Sequence, residues 1–114
     1  MDDGLTQKKC IPCEVGGLAL TRIEADALLA QVPGWTLNQD AKRLSRALPF
    51  ADFKSALAFA DRVGELAEKE GHHPVLTVAW GSLGIELWTH AVGGLSENDF
   101  IMAAKISSMI PDRQ

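Results

Sequence analysis

Tyrosine is absent from this 114-residue chain, and cysteine occurs only twice. With Cys10 and Cys13 as the whole thiol complement, the disulfide framework that staples small secreted domains is excluded as a folding device. No apolar run approaches the ~20 residues of a membrane span, and the N-terminus carries no signal-peptide pattern. The expected location is the cytoplasm. A basic stripe is also missing: 11 Lys and Arg stand against 15 Asp and Glu, for a net charge of −4. Direct nucleic-acid binding, which relies on cations neutralising phosphates, is therefore not expected. Neither a phosphate-cradling glycine loop nor a Gly-x-Ser-x-Gly nucleophile elbow is present, so covalent serine chemistry has no support.

What is present is an ordinary globular composition, 46% hydrophobic and 23% charged. A chain of this length buries roughly 60–70% of the surface its unfolded form exposes, enough for one domain without metal or disulfide. Residues 1–17 lack hydrophobic periodicity and are expected to form a loosely ordered N-terminal arm, with the domain proper in 18–114. Cys10-Ile11-Pro12-Cys13 in that arm resembles half a zinc site or a redox pair. Without a second cysteine pair, it reads as incidental to function.

Thr21-Arg22-Ile23-Glu24 fits a capping box and predicts a first helix to about Val32, with Ile23, Ala27, Leu28 and Leu29 available for burial. Pro33-Gly34 ends it. Trp35-Thr36-Leu37 and Leu44-Ser45-Arg46-Ala47-Leu48 bracket the polar Asn38-Gln39-Asp40-Ala41-Lys42 and predict a first hairpin. Phe50, Phe53, Leu57, Ala60, Val63 and Ala67 then recur at helical spacing, widened by Ala56, Phe59 and Leu66, which predicts a long central helix closed by Gly71. A second hairpin follows, with Gly81-Ser82 as its turn. Ser96-Glu97-Asn98-Asp99 forms another capping pattern ahead of a last helix carrying Phe100, Ile101, Ala104, Ile106 and Met109 and stopped by Pro111. The fold class expected is α+β, a four-stranded antiparallel sheet with three helices packed on one face in the order α-β-β-α-β-β-α.

All three histidines lie at the base of the second hairpin, as His72-His73-Pro74 and Thr89-His90. With the turn at Gly81-Ser82, Leu76 pairs with Leu87, Val78 with Ile85 and Trp80 with Leu83, all six on one apolar face; His73 then lies opposite His90, or His72 does if a bulge intervenes, so the expectation is a shared neighbourhood. Imidazole exchanges protons near neutrality, so a cluster suits general acid and base catalysis. It also binds metals, but adjacent residues in an extended segment point to opposite faces, and His72 and His73 are poorly arranged to hold one ion. Glu68 stands one helical turn before His72, within reach of an imidazole or solvated. Asp99 has a full explanation as a cap.

The stretch Ala67-Glu68-Lys69-Glu70-Gly71-His72-His73-Pro74, followed by Thr89-His90-Ala91-Val92-Gly93-Gly94-Leu95-Ser96-Glu97-Asn98-Asp99, resembles the signature of the pterin-4a-carbinolamine dehydratases. The likeness extends over roughly residues 20 to 110 through Gly34-Trp35 and Phe50-Ala51-Asp52-Phe53. One departure is Gly71, where family members often carry Asp or Asn. All three residue types tolerate a left-handed helix cap, so the departure removes a polar group and leaves the fold.

The resemblance implies dehydration of 4a-hydroxytetrahydropterin to quinonoid dihydropterin, in the recycling of the cofactor of aromatic amino-acid hydroxylases. It maps catalytic roles onto His72, His73 and His90: His72 and His90 as the acid/base pair, His73 as a substrate-binding residue or alternative acid. It further implies substrate contacts at Glu68, Thr89 and Asp99, no metal and no cofactor, and a homodimer or homotetramer with a functional link to a hydroxylase. A second reading from another class is a non-catalytic interaction role, as a dimerisation cofactor or assembly factor of the same fold. Retention of all three histidines favours the enzyme. A third is a zinc protein using Cys10, Cys13 and histidines.

Overall fold

The structure is a computed structural model that describes residues 4–11 and 17–110. In chain order the elements are α1 (Gly4–Gln7), α2 (Arg22–Leu29), β1 (Thr36–Leu37), β2 (Leu44–Pro49), α3 (Phe53–Glu70), β3 (Val75–Ala79), β4 (Ser82–Leu87), a 3-10 turn (His90–Val92) and α4 (Glu97–Met109). The strands form one antiparallel sheet in the order β1-β2-β4-β3. This is the expected α+β architecture, with the one-turn α1 added.

Alternation along the strands gives the sheet an apolar side and a small, polar one. Leu44 and Leu48 of β2 and Leu83, Ile85 and Leu87 of β4 are buried, while Ser45, Ala47, Thr77, Gly84 and Glu86 occupy the other side. The helices cover the apolar side and complete one core with Phe59, Val63, Phe100, Met102 and Ile106. Burying this surface is what drives the helices onto the sheet.

The helix ends follow local chemistry. The α2 capping box forms, with Thr21 N–H donating to Glu24 Oε1 at 2.8 Å and Glu24 N–H donating to Thr21 Oγ1 at 3.2 Å. Asp52 caps α3 by accepting the Ser55 amide at 2.8 Å. Gly71 ends α3 at φ +70°, and no atom crowds the place of a Cβ. Its glycine therefore serves the left-handed backbone and nothing else. α4 ends at Met109, with Ile110 extended, as the residue before a proline tends to be.

Several expectations are corrected. The second hairpin turns at Trp80-Gly81, so Leu76 pairs with Ile85 and Val78 with Leu83. The register is displaced by two residues, which keeps the strand side chains from Leu76 to Val78 and Leu83 to Leu87 on their predicted faces but removes the His73–His90 opposition. The cause lies outside the hairpin: β2 pairs as far as Pro49 with Ser82, and the Phe50 amide donates to the Gly81 carbonyl at 2.8 Å. Ser82 is thereby a strand residue, and Gly81 takes the second turn position at φ +80°. Trp80, expected in the apolar face, is 75% exposed.

In α2, Ile23 and Ala27 face solvent, and Ala25 is the fully buried residue. In α3, Phe53 and Leu57 remain nearly half exposed, because the buried stripe runs through Ala56, Phe59, Ala60, Val63 and Ala67. Residues 4–11 are held more closely than a loosely ordered arm would be. Leu5 is buried against the core and α1 packs on α4. Cys13 lies outside the described residues.

Candidate active site

His72 and His73 occupy the extended link between Gly71 and β3, while His90 opens the 3-10 turn just after β4. The Gly71 cap fixes where this link starts: both Gly71 and His72 donate their amides to the Ala67 carbonyl, at 2.8 and 3.2 Å. Because neighbours in extended backbone point to opposite sides, the two histidines separate. His72 turns inward, with its side chain 11% exposed, and His73 turns outward, at 59%.

His72 Nε2 lies 2.6 Å from Asp99 Oδ1, and Asp99 is fully buried. The other carboxylate oxygen, Oδ2, accepts the Thr89 hydroxyl at 2.8 Å and the Ser96 amide at 3.0 Å. Thr89 and Ser96 hydroxyls are 2.8 Å apart, so Ser96 Oγ–H can donate to Thr89 while Thr89 donates to Asp99. As a carboxylate, Asp99 accepts on both oxygens, which makes His72 the donor through Nε2 and leaves Nδ1 available. The N-terminus of α4 adds a favourable field for the carboxylate. Asp99 is thus a cap and a histidine anchor at once. It reaches the cavity through His72, being itself buried.

Glu68 does not approach His72. Its Oε2 lies 2.6 Å from His73 Nε2 on the surface, with the two side chains 79% and 59% exposed. His90 sits edge-on to Trp88, with ring centroids 5.1 Å apart. Trp88 in turn carries the Arg43 guanidinium 4.0 Å above its ring. Arg43 is placed by the β1–β2 loop, where Asn38 Oδ1 accepts the amides of Lys42 and Arg43 at 2.8 Å each.

His72, His73, His90, Thr89 and Trp88 line a single cavity of about 270 Å3, completed by Gly71, Ala91, Asn98 and Ile11. That is at the lower end of the roughly 300–1,000 Å3 usual for small-molecule sites. A depression of about 430 Å3 on the uncovered sheet face is larger, as is a groove of about 550 Å3 between α3 and β3 that His73 also borders. Neither gathers the three histidines. Among the described residues, no group of three or more His, Cys, Asp and Glu side chains is arranged to hold a metal ion. The histidine neighbourhood was legible in the sequence. Trp88, Asn98 and Ile11 were not singled out; Trp88 directly precedes Thr89-His90, whereas nothing in the sequence couples Ile11 to Asn98.

At the back of the site a second buried carboxylate, Glu70, accepts Lys105 Nζ at 2.6 Å and the Cys10 amide at 3.0 Å. Burial opposes its ionisation, but the hydrogen bonds from Lys105 and Cys10 and the charges of Lys105 and Lys9 prevail and hold its pKa below the ordinary value. Burial, reinforced by the Glu70 charge, pushes the Cys10 thiol up to about 12. Such a thiol is a poor nucleophile and a poor metal ligand.

The fold and the cavity define a small α+β protein with a histidine-lined cavity. Compared with known proteins, residues 18–109 match the family model described as Pterin 4 alpha carbinolamine dehydratase. A relative from Methylococcus capsulatus, named "Putative pterin-4-alpha-carbinolamine dehydratase", is 50% identical over 105 residues, 92% of each chain. One of the same name from Microcystis aeruginosa is 48% identical over 89% of each. The chain belongs to the pterin-4a-carbinolamine dehydratase family. Among solved structures, a transcriptional coactivator/pterin dehydratase from Brucella melitensis superposes with a TM-score of 0.74 at 31% identity, covering 79% of this chain and 96% of that one. A pterin dehydratase-like RuBisCO assembly factor of the alpha-carboxysome shares the fold at TM-score 0.56 and 21% identity, over 66% of this chain and 87% of its own.

Proposed function

We propose that the protein dehydrates 4a-hydroxytetrahydropterin to quinonoid dihydropterin and water by histidine acid/base catalysis. The observation that carries this reading is the meeting of His72, His73 and His90 in one cavity, with His72 anchored to a buried carboxylate. In the reaction the C4a–O bond breaks, the hydroxyl leaves as water on receiving a proton, and N5 gives up its proton as the C4a=N5 bond forms. Proton donated and proton accepted balance. His72 and His90 act as the pair: Asp99 orients His72 through Nε2, leaving Nδ1 to exchange the proton. His90 takes the complementary step from its place beside Trp88. His73, at the rim and paired with Glu68, binds substrate, while Thr89 and Asp99 support the site from beneath.

The test is the decay of chemically generated 4a-carbinolamine, followed by absorbance with purified protein. A parental rate retained in the His72→Ala, His90→Ala double variant would overturn the mechanism. Adding a chelator should leave the rate unchanged. A homodimer or homotetramer is the expected assembly, because β3 is an edge strand and one sheet face is uncovered; light scattering reads it directly. A cytoplasmic location and a link to an aromatic amino-acid hydroxylase belong to the same reading. No helix among the described residues is long and apolar enough to cross a membrane.

The second reading, a non-catalytic role as dimerisation cofactor or assembly factor, draws on the coactivator named in the Brucella structure. Absence of carbinolamine decay with a folded protein would favour it.

A further inference from the structure

The N-terminal segment precedes residues 18–109, the stretch matched by the family model, and it reaches the histidine cavity. Ile11 N–H donates to Asn98 Oδ1 at 3.0 Å, and Asn98 Nδ2 donates back to the Ile11 carbonyl at 2.6 Å. One side-chain amide thus pairs with the Ile11 backbone as a neighbouring strand would. Asn98 is only 5% exposed and directly precedes Asp99, the anchor of His72. One residue earlier, the Cys10 amide is held by Glu70, the last residue of α3, which is itself fixed by Lys105. Further back, Leu5 is buried against the core.

The backbone at Cys10-Ile11 is therefore tied to the end of α3 and to the first turn of α4, the two elements that deliver and anchor His72. The Ile11 side chain nevertheless remains 68% exposed, at the edge of the cavity. An apolar residue on immobilised backbone, left exposed by the other described residues, is preorganised to bury itself against a ligand at little entropic cost.

Resting on the dehydratase reading, we propose that Ile11, held in place by residues 4–11, forms a built-in wall of the substrate cavity and is a specificity-determining contact. The ligand it fits is a flat heteroaromatic bicycle with an apolar face or side chain, such as a pterin. Together with Trp88 it supplies apolar surface to a cavity otherwise lined largely by histidines and polar groups.

The test uses the full chain with Ile11→Ala and, separately, Asn98→Leu, which removes both clamping hydrogen bonds. KM and kcat for carbinolamine dehydration are measured beside the calorimetric Kd of a stable 7,8-dihydropterin. Ile11→Ala should raise KM and Kd about tenfold, the scale of losing one apolar contact, with kcat changed less than about twofold. Asn98→Leu should weaken binding likewise and speed hydrogen exchange at the Ile11 amide. If folded Ile11→Ala keeps parental KM and Kd, the wall is refuted while the dehydratase reading stands. If the parent binds dihydropterin without turning over carbinolamine, the dehydratase reading falls, and the Kd ratio still decides the wall. A parent that neither binds nor converts pterins overturns both.

Discussion

Two adjacent histidines each lie 2.6 Å from a carboxylate, but the two pairs occupy opposite surroundings. His72 and Asp99 have side chains 11% and 0% exposed; His73 and Glu68 are 59% and 79% exposed. Distance alone would make them equivalent. Coulomb energy at a fixed separation differs about fourfold between an effective dielectric of ~20 and bulk water, and an exposed pair is further weakened by salt and by side-chain entropy. Asp99 is moreover fixed by Thr89 and Ser96, whereas among the described residues only His73 hydrogen-bonds the Glu68 carboxylate. The inner pair can hold a ring in one tautomer and orientation. The outer pair can only bias a mobile one.

This contrast is broken first by removing each ring. His72→Ala should lower kcat about 100-fold or more, the usual scale of a general acid or base. His73→Ala should act mainly on KM. Equal effects of the two on kcat in carbinolamine turnover would erase the distinction between inner and outer histidine.

Changing the carboxylates sharpens it. Asp99→Asn should reduce turnover about 10–100-fold, as loss of a partner that orients a functional imidazole does. The same substitution places an amide where three donors converge, so unfolding in denaturant should show a loss of about 1–3 kcal/mol. That exceeds a capping effect alone only if the Thr89 and Ser96 donors are left unsatisfied. Unchanged stability would mean that the amide oxygen of Asn keeps the Thr89 and Ser96 hydrogen bonds and that only the contact to His72 is lost.

Glu70 and Lys105 provide a buried pair without a histidine. Their side chains are 5% and 16% exposed, and the Glu70 pKa is lowered. A lowered carboxylate pKa contributes stability above the ordinary value of 4.5, and that contribution is lost as pH falls through the folded-state value. Glu70→Gln should therefore destabilise by about 3 kcal/mol near neutrality, the scale of breaking a buried pair. As pH falls below that folded-state value the variant and parent should converge in chemical denaturation. A gap that persists undiminished in acid would assign the loss to packing.

The smallest effect is expected at Glu68. Glu68→Gln should leave the melting temperature unmoved and change kcat less than about threefold, since exposed ion pairs contribute little. A larger fall in kcat, measured at several salt concentrations, would place Glu68 in the reaction.

Much of this contrast was legible beforehand, and for a definite reason. Opposite orientation of His72 and His73 follows from extended backbone imposed by Pro74, which is a local rule. The partners were not legible. Glu68 stands one helical turn before His72, yet Gly71 at φ +70° turns the chain so that His73 meets it. Asp99 read as a cap because the sequence shows Ser96 three residues ahead of it. Its second oxygen finds His72 only because α4 packs beside the end of α3.

The order of elements, the caps at Thr21 and Asp52, the Gly71 stop and the two faces of the sheet were set by the sequence itself. Each depends on hydrogen bonds within a few residues or on the periods of 2 and 3.6, which a short window contains. Tertiary structure decided the rest. Pairing of β2 with Ser82 moved the hairpin turn to Trp80-Gly81, and the cover of α1 over α4 brought Ile11 to Asn98 across 87 positions of chain. Those outcomes depend on which distant surfaces bury each other. Burial is a property of the assembled core, and no local window carries it.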